Sequence, residues 1–195
     1  MKARRKFLIV KSWDEQKESH QIKCDDGRVV NLYIGRRYSE NSREQNPVVC
    51  KVLSKGADCD EIEVGDLLIV HHNVLTNEAC IIERDTEQQF TIFSIYCDNT
   101  IYAKINPDGS LIPVNGNYIA ERISKPPVSN FIIAPFEETV ETQFIIKAVP
   151  KNPDVKVGDK VICYKYSDYE MVYHFNNEEK RAVRIWKEDM LGIVG

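Results

Sequence analysis

No Cys-x-x-Cys pair, glycine-rich phosphate loop, nucleophile elbow or paired metal-ligand spacing occurs in this chain. These absences remove the usual signatures of nucleotide binding, acyl transfer and zinc binding. Adjacent His71 and His72 point to opposite faces if they lie on a strand, so they cannot readily share a metal. The carboxylate pairs Glu137-Glu138 and Glu178-Glu179 fall in polar, loop-like stretches, where solvated surface is the expected use. The chain is therefore read as non-enzymatic, with no catalytic residue, cofactor or metal.

An excess of positive charge is lacking too. Lys and Arg number 26 against 30 Asp and Glu, a net charge of −4, which gives a nucleic-acid partner no support. The aromatics of Tyr164-Lys165-Tyr166 and of residues 169–175 are interleaved with few basic residues, and are expected to pack a core or an interface rather than stack on bases. Long apolar runs are missing. The basic start (Lys2, Arg4, Arg5, Lys6) is followed by only four apolar residues, 7–10, too short for a signal segment or a membrane span. A cytoplasmic protein with no membrane partner is expected, its six cysteines reduced and partly buried.

Helical periodicity is likewise scarce. Short β-branched or alternating runs recur at 7–10, 48–53, 67–70, 90–95, 118–120, 144–148, 160–164 and 181–185. Turn chemistry separates them at Asp26-Gly27, Lys55-Gly56, Asn106-Pro107-Asp108-Gly109, Asn115-Gly116 and Asn152-Pro153-Asp154. An all-β chain with little helix follows, built as small barrels or sandwiches.

One unit occurs twice. Ile62-Glu63-Val64-Gly65-Asp66-Leu67-Leu68-Ile69-Val70 is echoed 93 residues later by Val155-Lys156-Val157-Gly158-Asp159-Lys160-Val161-Ile162-Cys163. Glycine supplies a turn with positive φ, and the aspartate bonds a nearby backbone N–H before an apolar strand. Extended outward, the echo aligns residues 6–11 with 117–122, 48–52 with 144–148 and 99–104 with 189–194, at offsets of 111, 96 and 90. Two modules result: residues 1–107, with a long interstrand stretch 12–46 and an insertion at 75–89, and residues 111–195.

This order of elements resembles the GroES, or chaperonin-10, co-chaperonin family. Residues 113–122 (Pro113-Val114-Asn115-Gly116-Asn117-Tyr118-Ile119-Ala120-Glu121-Arg122) look like that family's opening strand. Val155 to Ile162 look like its central signature, and Lys187 to Val194 like its closing strand. The resemblance covers nearly the whole chain and implies two tandem GroES-like β-barrels. It implies a homo-oligomeric lid that assists ATP-dependent folding by a chaperonin ring, the ATPase being the partner's. The connections 54–63 and 150–156 are too short for the roof hairpin of many members, which implies an open top.

In that family the stretch between the first two strands is a mobile loop carrying an apolar docking motif. By order, the matching positions are Val29, Val30 and Leu32 in the first module and Phe131, Ile132 and Ile133 in the second. Residues 21–32 read equally as a hairpin turning at Asp25-Asp26-Gly27, and Phe131 to Ile133 as a core strand. A structural use of the same modules, such as a virion component, is the alternative function, with a virion location.

Overall fold

The computed structural model describes residues 1–13, 18–23, 29–34, 44–45, 48–71, 74, 78–85, 87, 90–124, 139–175 and 178–194. The chain is all-β, as its short alternating runs require. In order the strands are β1 (Phe7–Trp13), β2 (Glu18–Lys23), β3 (Val29–Ile34), β4 (Glu44–Gln45), β5 (Val48–Lys55), β6 (Leu67–Val70), β7 (Ile81–Asp85), β8 (Phe90–Tyr96), β9 (Ile101–Ile105) and β10 (Leu111–Pro113). They continue as β11 (Asn117–Ser124), β12 (Thr139–Ala148), β13 (Lys160–Cys163), β14 (Tyr169–Phe175), β15 (Glu178–Trp186) and β16 (Met190–Val194). Helix is confined, among the described residues, to single 3-10 turns such as Glu78–Cys80 and Lys187–Asp189. No described helix is long and apolar enough to cross a membrane.

Two seven-stranded sheets hold most of these strands, in the orders β10-β9-β6-β5-β1-β8-β7 and β16-β13-β12-β11-β15-β14-β4; β2 and β3 form a separate pair. Among the described residues all pairings are antiparallel except the parallel one of β4 with β14. Among the described residues neither sheet closes on itself: no pairing joins β10 to β7 or β16 to β4. The expected module boundary at 107–111 is bridged by the β9–β10 hairpin, and the change of sheet comes at 114–116.

Six strands of each sheet stand in the same relative order, β9-β6-β5-β1-β8-β7 against β16-β13-β12-β11-β15-β14. The correspondence extends to irregularities. A register shift between Ile9 and Val10 matches one between Ile119 and Ala120, and a shift between Ile69 and Val70 matches one between Ile162 and Cys163. The Val-Gly-Asp turns are alike bond for bond. The Gly65 N–H donates to the Val52 carbonyl (2.9 Å) and the Gly158 N–H to that of Ile146 (2.8 Å). Asp66 Oδ2 accepts from the Glu63 N–H and Asp159 Oδ2 from the Lys156 N–H, both at 2.8 Å.

The paired registers also correct the alignment. Val10 corresponds to Ala120 (offset 110, not 111), Val52 to Ile146 (94, not 96) and Ile101 to Met190 (89, not 90). Because successive strand residues face opposite ways, the one-residue errors exchange core and outer faces. In the corrected register the two cores coincide: Leu8 with Tyr118, Val10 with Ala120, Cys50 with Phe144, Val52 with Ile146, Leu68 with Val161 and Ile95 with Ile185, all buried. The hairpins β7–β8 and β14–β15, absent from the sequence alignment of the halves, belong to the repeat, with β8 and β15 flanking β1 and β11.

Gly65 and Gly158 sit at φ +97° and +94°, and a Cβ added at either meets no atom within 4 Å. Alanine at either site is opposed by backbone conformation alone. Gly65→Ala and Gly158→Ala are each expected to cost about 1–2 kcal/mol and to add in the double variant, being in separate modules. Urea midpoints of the three variants check this; a double variant no worse than either single one contradicts it.

Buried thiols mark both cores. Burial pushes Cys50 from 9.0 up to about 12, and Cys163 likewise, aided by the Asp189 and Asp168 carboxylates. A folded-state pKa raised above the unfolded one contributes stability that is complete below pH 9 and is lost as pH rises toward 12. Urea midpoints should therefore fall between pH 8 and about pH 11. Iodoacetamide at pH 8 should spare both thiols in the folded chain and label them in the unfolded one, as mass spectrometry would read.

Candidate docking segments

The two connections singled out by sequence leave from equivalent places. One runs from the end of β1 to the start of β5, where Ser12 pairs with Cys50; the other runs from β11 to β12, where Ser124 pairs with Thr139. Within the first, β2 and β3 pair as a hairpin, from Glu18↔Ile34 to Lys23↔Val29. Val29, Val30 and Leu32 lie on β3, opposite Lys23, Ile22 and His20. Asp25, Asp26 and Gly27, where the turn is expected, lie outside the described residues. Among the described residues the hairpin pairs with no strand of either sheet. Phe131, Ile132 and Ile133 also lie outside the described residues.

The feet of both connections meet on one strand. Arg122, two residues from the end of β11, donates from Nε (2.9 Å) and Nη2 (2.6 Å) to Asp168 Oδ2 and from Nη1 (2.7 Å) to Glu170 Oε2. Burial alone would lower the Arg122 pKa, but the hydrogen bonds to Glu170 and Asp168 outweigh it and raise it. Beside this clamp the returning leg of the first connection, β4, pairs Glu44 with Glu170 and Gln45 with Met171. The Arg122 clamp had no sequence signal, since its partners lie 46 and 48 residues away.

Behind these feet the two modules share a third core. Ile69, Tyr102, Ala103 and Ile105, on the outer face of β6 and β9, pack with Ile119, Met171 and Tyr173 of the second sheet. At its margin Asn117, wholly buried, donates from Nδ2 to the carbonyls of Ile101 (2.9 Å), Val114 (2.9 Å) and Asn99 (3.2 Å). Its Oδ1 accepts from Arg184 Nε at 2.6 Å. The Arg184 guanidinium lies 5.1 Å from the centre of the Tyr102 ring, which is itself 5.1 Å from that of Tyr169. His71 completes the aromatic group, 5.5 Å from Tyr169 and 6.0 Å from Tyr102. Burial lowers the Arg184 pKa and raises that of Tyr102 to about 12. This is a structural joint: Asn117 Nδ2 and Oδ1 and Arg184 Nε are spent within it. Among the described residues no group of three or more His, Cys, Asp or Glu converges on a metal-sized site.

No protein-family model matches the chain, and neither a curated protein nor a solved structure matches it.

Proposed function

We propose that the chain is a co-chaperonin-like lid, a non-catalytic oligomer that docks on a chaperonin ring through the segments between the first two strands of each module. The observation that carries this reading is the duplicated six-strand unit, each copy with the same Val-Gly-Asp turn and each sending its first connection from the same corner. A pair of segments, each offering three apolar side chains at roughly 1.5–3 kcal/mol apiece when buried, gives weak single contacts. Simultaneous engagement strengthens them without new chemistry.

The reading is tested by adding the chain to a chaperonin ring with nucleotide and following the ring's ATP hydrolysis. The expected result is an altered rate, with at least about tenfold more protein needed when Val30, Leu32, Ile132 and Ile133 are all changed to serine. An unaltered rate and no co-sedimentation with the ring would sink it.

A structural role is the second reading, favoured by the β4–β14 pairing that ties the first connection to the second module. Limited proteolysis separates the two. Docking segments are cut first within residues 14–47 or 125–138 of the free protein, whereas an assembly brick resists there.

A further inference from the structure

Two cysteines 38 residues apart in sequence, Cys59 and Cys97, meet at the start of β1. A tight turn at 56–59 wraps that start: the Gly56 N–H donates to the Phe7 carbonyl (2.9 Å) and the Asp58 N–H to that of Arg5 (3.2 Å). The approach is so close that a Cβ on Gly56 would lie 1.9 Å from the Arg5 carbonyl oxygen. Cys59 is thereby fixed, its buried thiol 3.7 Å from the carbonyl oxygens of both Arg5 and Phe7.

Cys97 arrives from the other side of the same segment. It follows the last residue of β8, and its N–H donates at 2.7 Å to the carbonyl of Lys6, between the two residues whose carbonyls face Cys59. Its side chain packs on the core that contains Cys59, and a side-chain hydrogen bond joins the two thiols. The Cys97 thiol also lies 3.8 Å from Asn115 Oδ1. Asn115 is itself tied by its N–H to Glu61 Oε2 and by Nδ2 to the Asp98 carbonyl, both at 2.7 Å. Both segments that carry the sulfurs are thus held without any bond between them.

The repeat does not ask for this pair. Lys187, whose N–H donates to the Gly116 carbonyl at 3.0 Å, is the counterpart of Cys97, and the connection from β12 to β13 contains no cysteine. Two other buried thiols lack such a neighbour: burial alone shifts Cys50, and Cys163 is faced by Asp189, Asp168 and Ser167.

We propose that Cys59 and Cys97 form a redox site, closing as a disulfide by exchange with a small disulfide such as oxidised glutathione. Cys97, the more exposed of the two, loses its proton and attacks one sulfur of the reagent, giving a mixed disulfide and releasing one glutathione thiolate. Cys59 then loses its proton and attacks the Cys97 sulfur, expelling the second thiolate. The two protons end on the two glutathiones, so two cysteine thiols are oxidised while one small disulfide is reduced to two thiols.

The bond closes a loop that contains β6, β7 and β8, so it holds the first module and leaves the second as it was. Asn115 loses one donor but keeps its bonds to Glu61 and Asp98, and the passage between the sheets survives closure. Burial and the neighbouring Cys59 push the Cys97 thiol up to about 12, which keeps its thiolate scarce at neutral pH. The site therefore answers to sustained oxidation rather than to a brief pulse. It does not depend on a chaperonin partner.

The test refolds the natural chain from urea in glutathione buffers of graded oxidised-to-reduced ratio, so that slow reaction of the folded thiols does not limit it. Acid-quenched samples are mapped by peptide mass spectrometry. A Cys59–Cys97 disulfide should form with an equilibrium constant at least about 30-fold larger than in chain kept in urea. A folded chain in which these two cysteines stay reduced, bond to other cysteines, or pair no better than in urea overturns the proposal. Cys97→Ser, which keeps a donor for Asn115, gives the second readout. Oxidation should raise the urea midpoint of the natural chain and leave that of the serine variant in place; equal shifts in both, or none in the natural chain, overturn it.

Discussion

Asn117→Ala is expected to lower the unfolding free energy by about 3–5 kcal/mol, the range seen when one partner of a buried, charge-assisted network is removed. The loss has two parts. Three carbonyls, those of Ile101, Val114 and Asn99, lose a common donor, and the Arg184 guanidinium loses its acceptor. Asn117→Asp separates these parts, because a carboxylate still accepts from Arg184 but repels the three carbonyls. The aspartate variant is therefore also expected to be destabilised, by urea unfolding at pH 7, despite the added ion pair. An Asn117→Asp chain as stable as the natural one would show that the donor side of the joint contributes little.

Phe144→Ala is the second large effect, at about 3–5 kcal/mol for emptying an aromatic site in a closed core. Phe144 is fully buried in the second module, and its counterpart in the first is Cys50, also fully buried. The same position is thus filled by a large ring in one module and a small thiol in the other. Cys50→Ala removes one sulfur atom and should cost roughly 1–2 kcal/mol. Denaturant titrations of the two variants check the ordering. Equal losses would mean that the cores are not equivalent at this position, which would weaken the register on which the duplication rests.

How much of this was legible in the sequence depends on the kind of signal. The Val-Gly-Asp echo was readable because its turn needs glycine at positive φ and an aspartate on a backbone N–H, and few other residues satisfy both. The strand runs were readable for the same local reason. The exact register was not, because matching apolar runs such as 7–10 and 118–120 by similarity cannot see the irregularity after Ile9 and Ile119. The place of β7–β8 and β14–β15 in the repeat was hidden because long-range pairing with β1 and β11, not local composition, defines it.

The joint illustrates the same limit. Asn117 is a polar residue where the repeat carries Phe7, and only the corrected register turns that oddity into a signal. Arg122 with Asp168 and Glu170, and Arg184 with Asn117, are contacts across 46 to 67 residues of chain that no spacing rule anticipates. For the docking residues the two halves differ. Val29, Val30 and Leu32 fall on a hairpin strand, one of the two readings open from sequence, while Phe131, Ile132 and Ile133 lie outside the described residues.

The lid reading is tested most directly by the native mass of the particle formed when the purified chain is mixed with a chaperonin ring and nucleotide. A complex whose mass exceeds that of the ring by a whole number of these chains, and which falls apart when the nucleotide is removed, is the predicted result. A ring of unchanged mass beside free chain, at every nucleotide state, would contradict it.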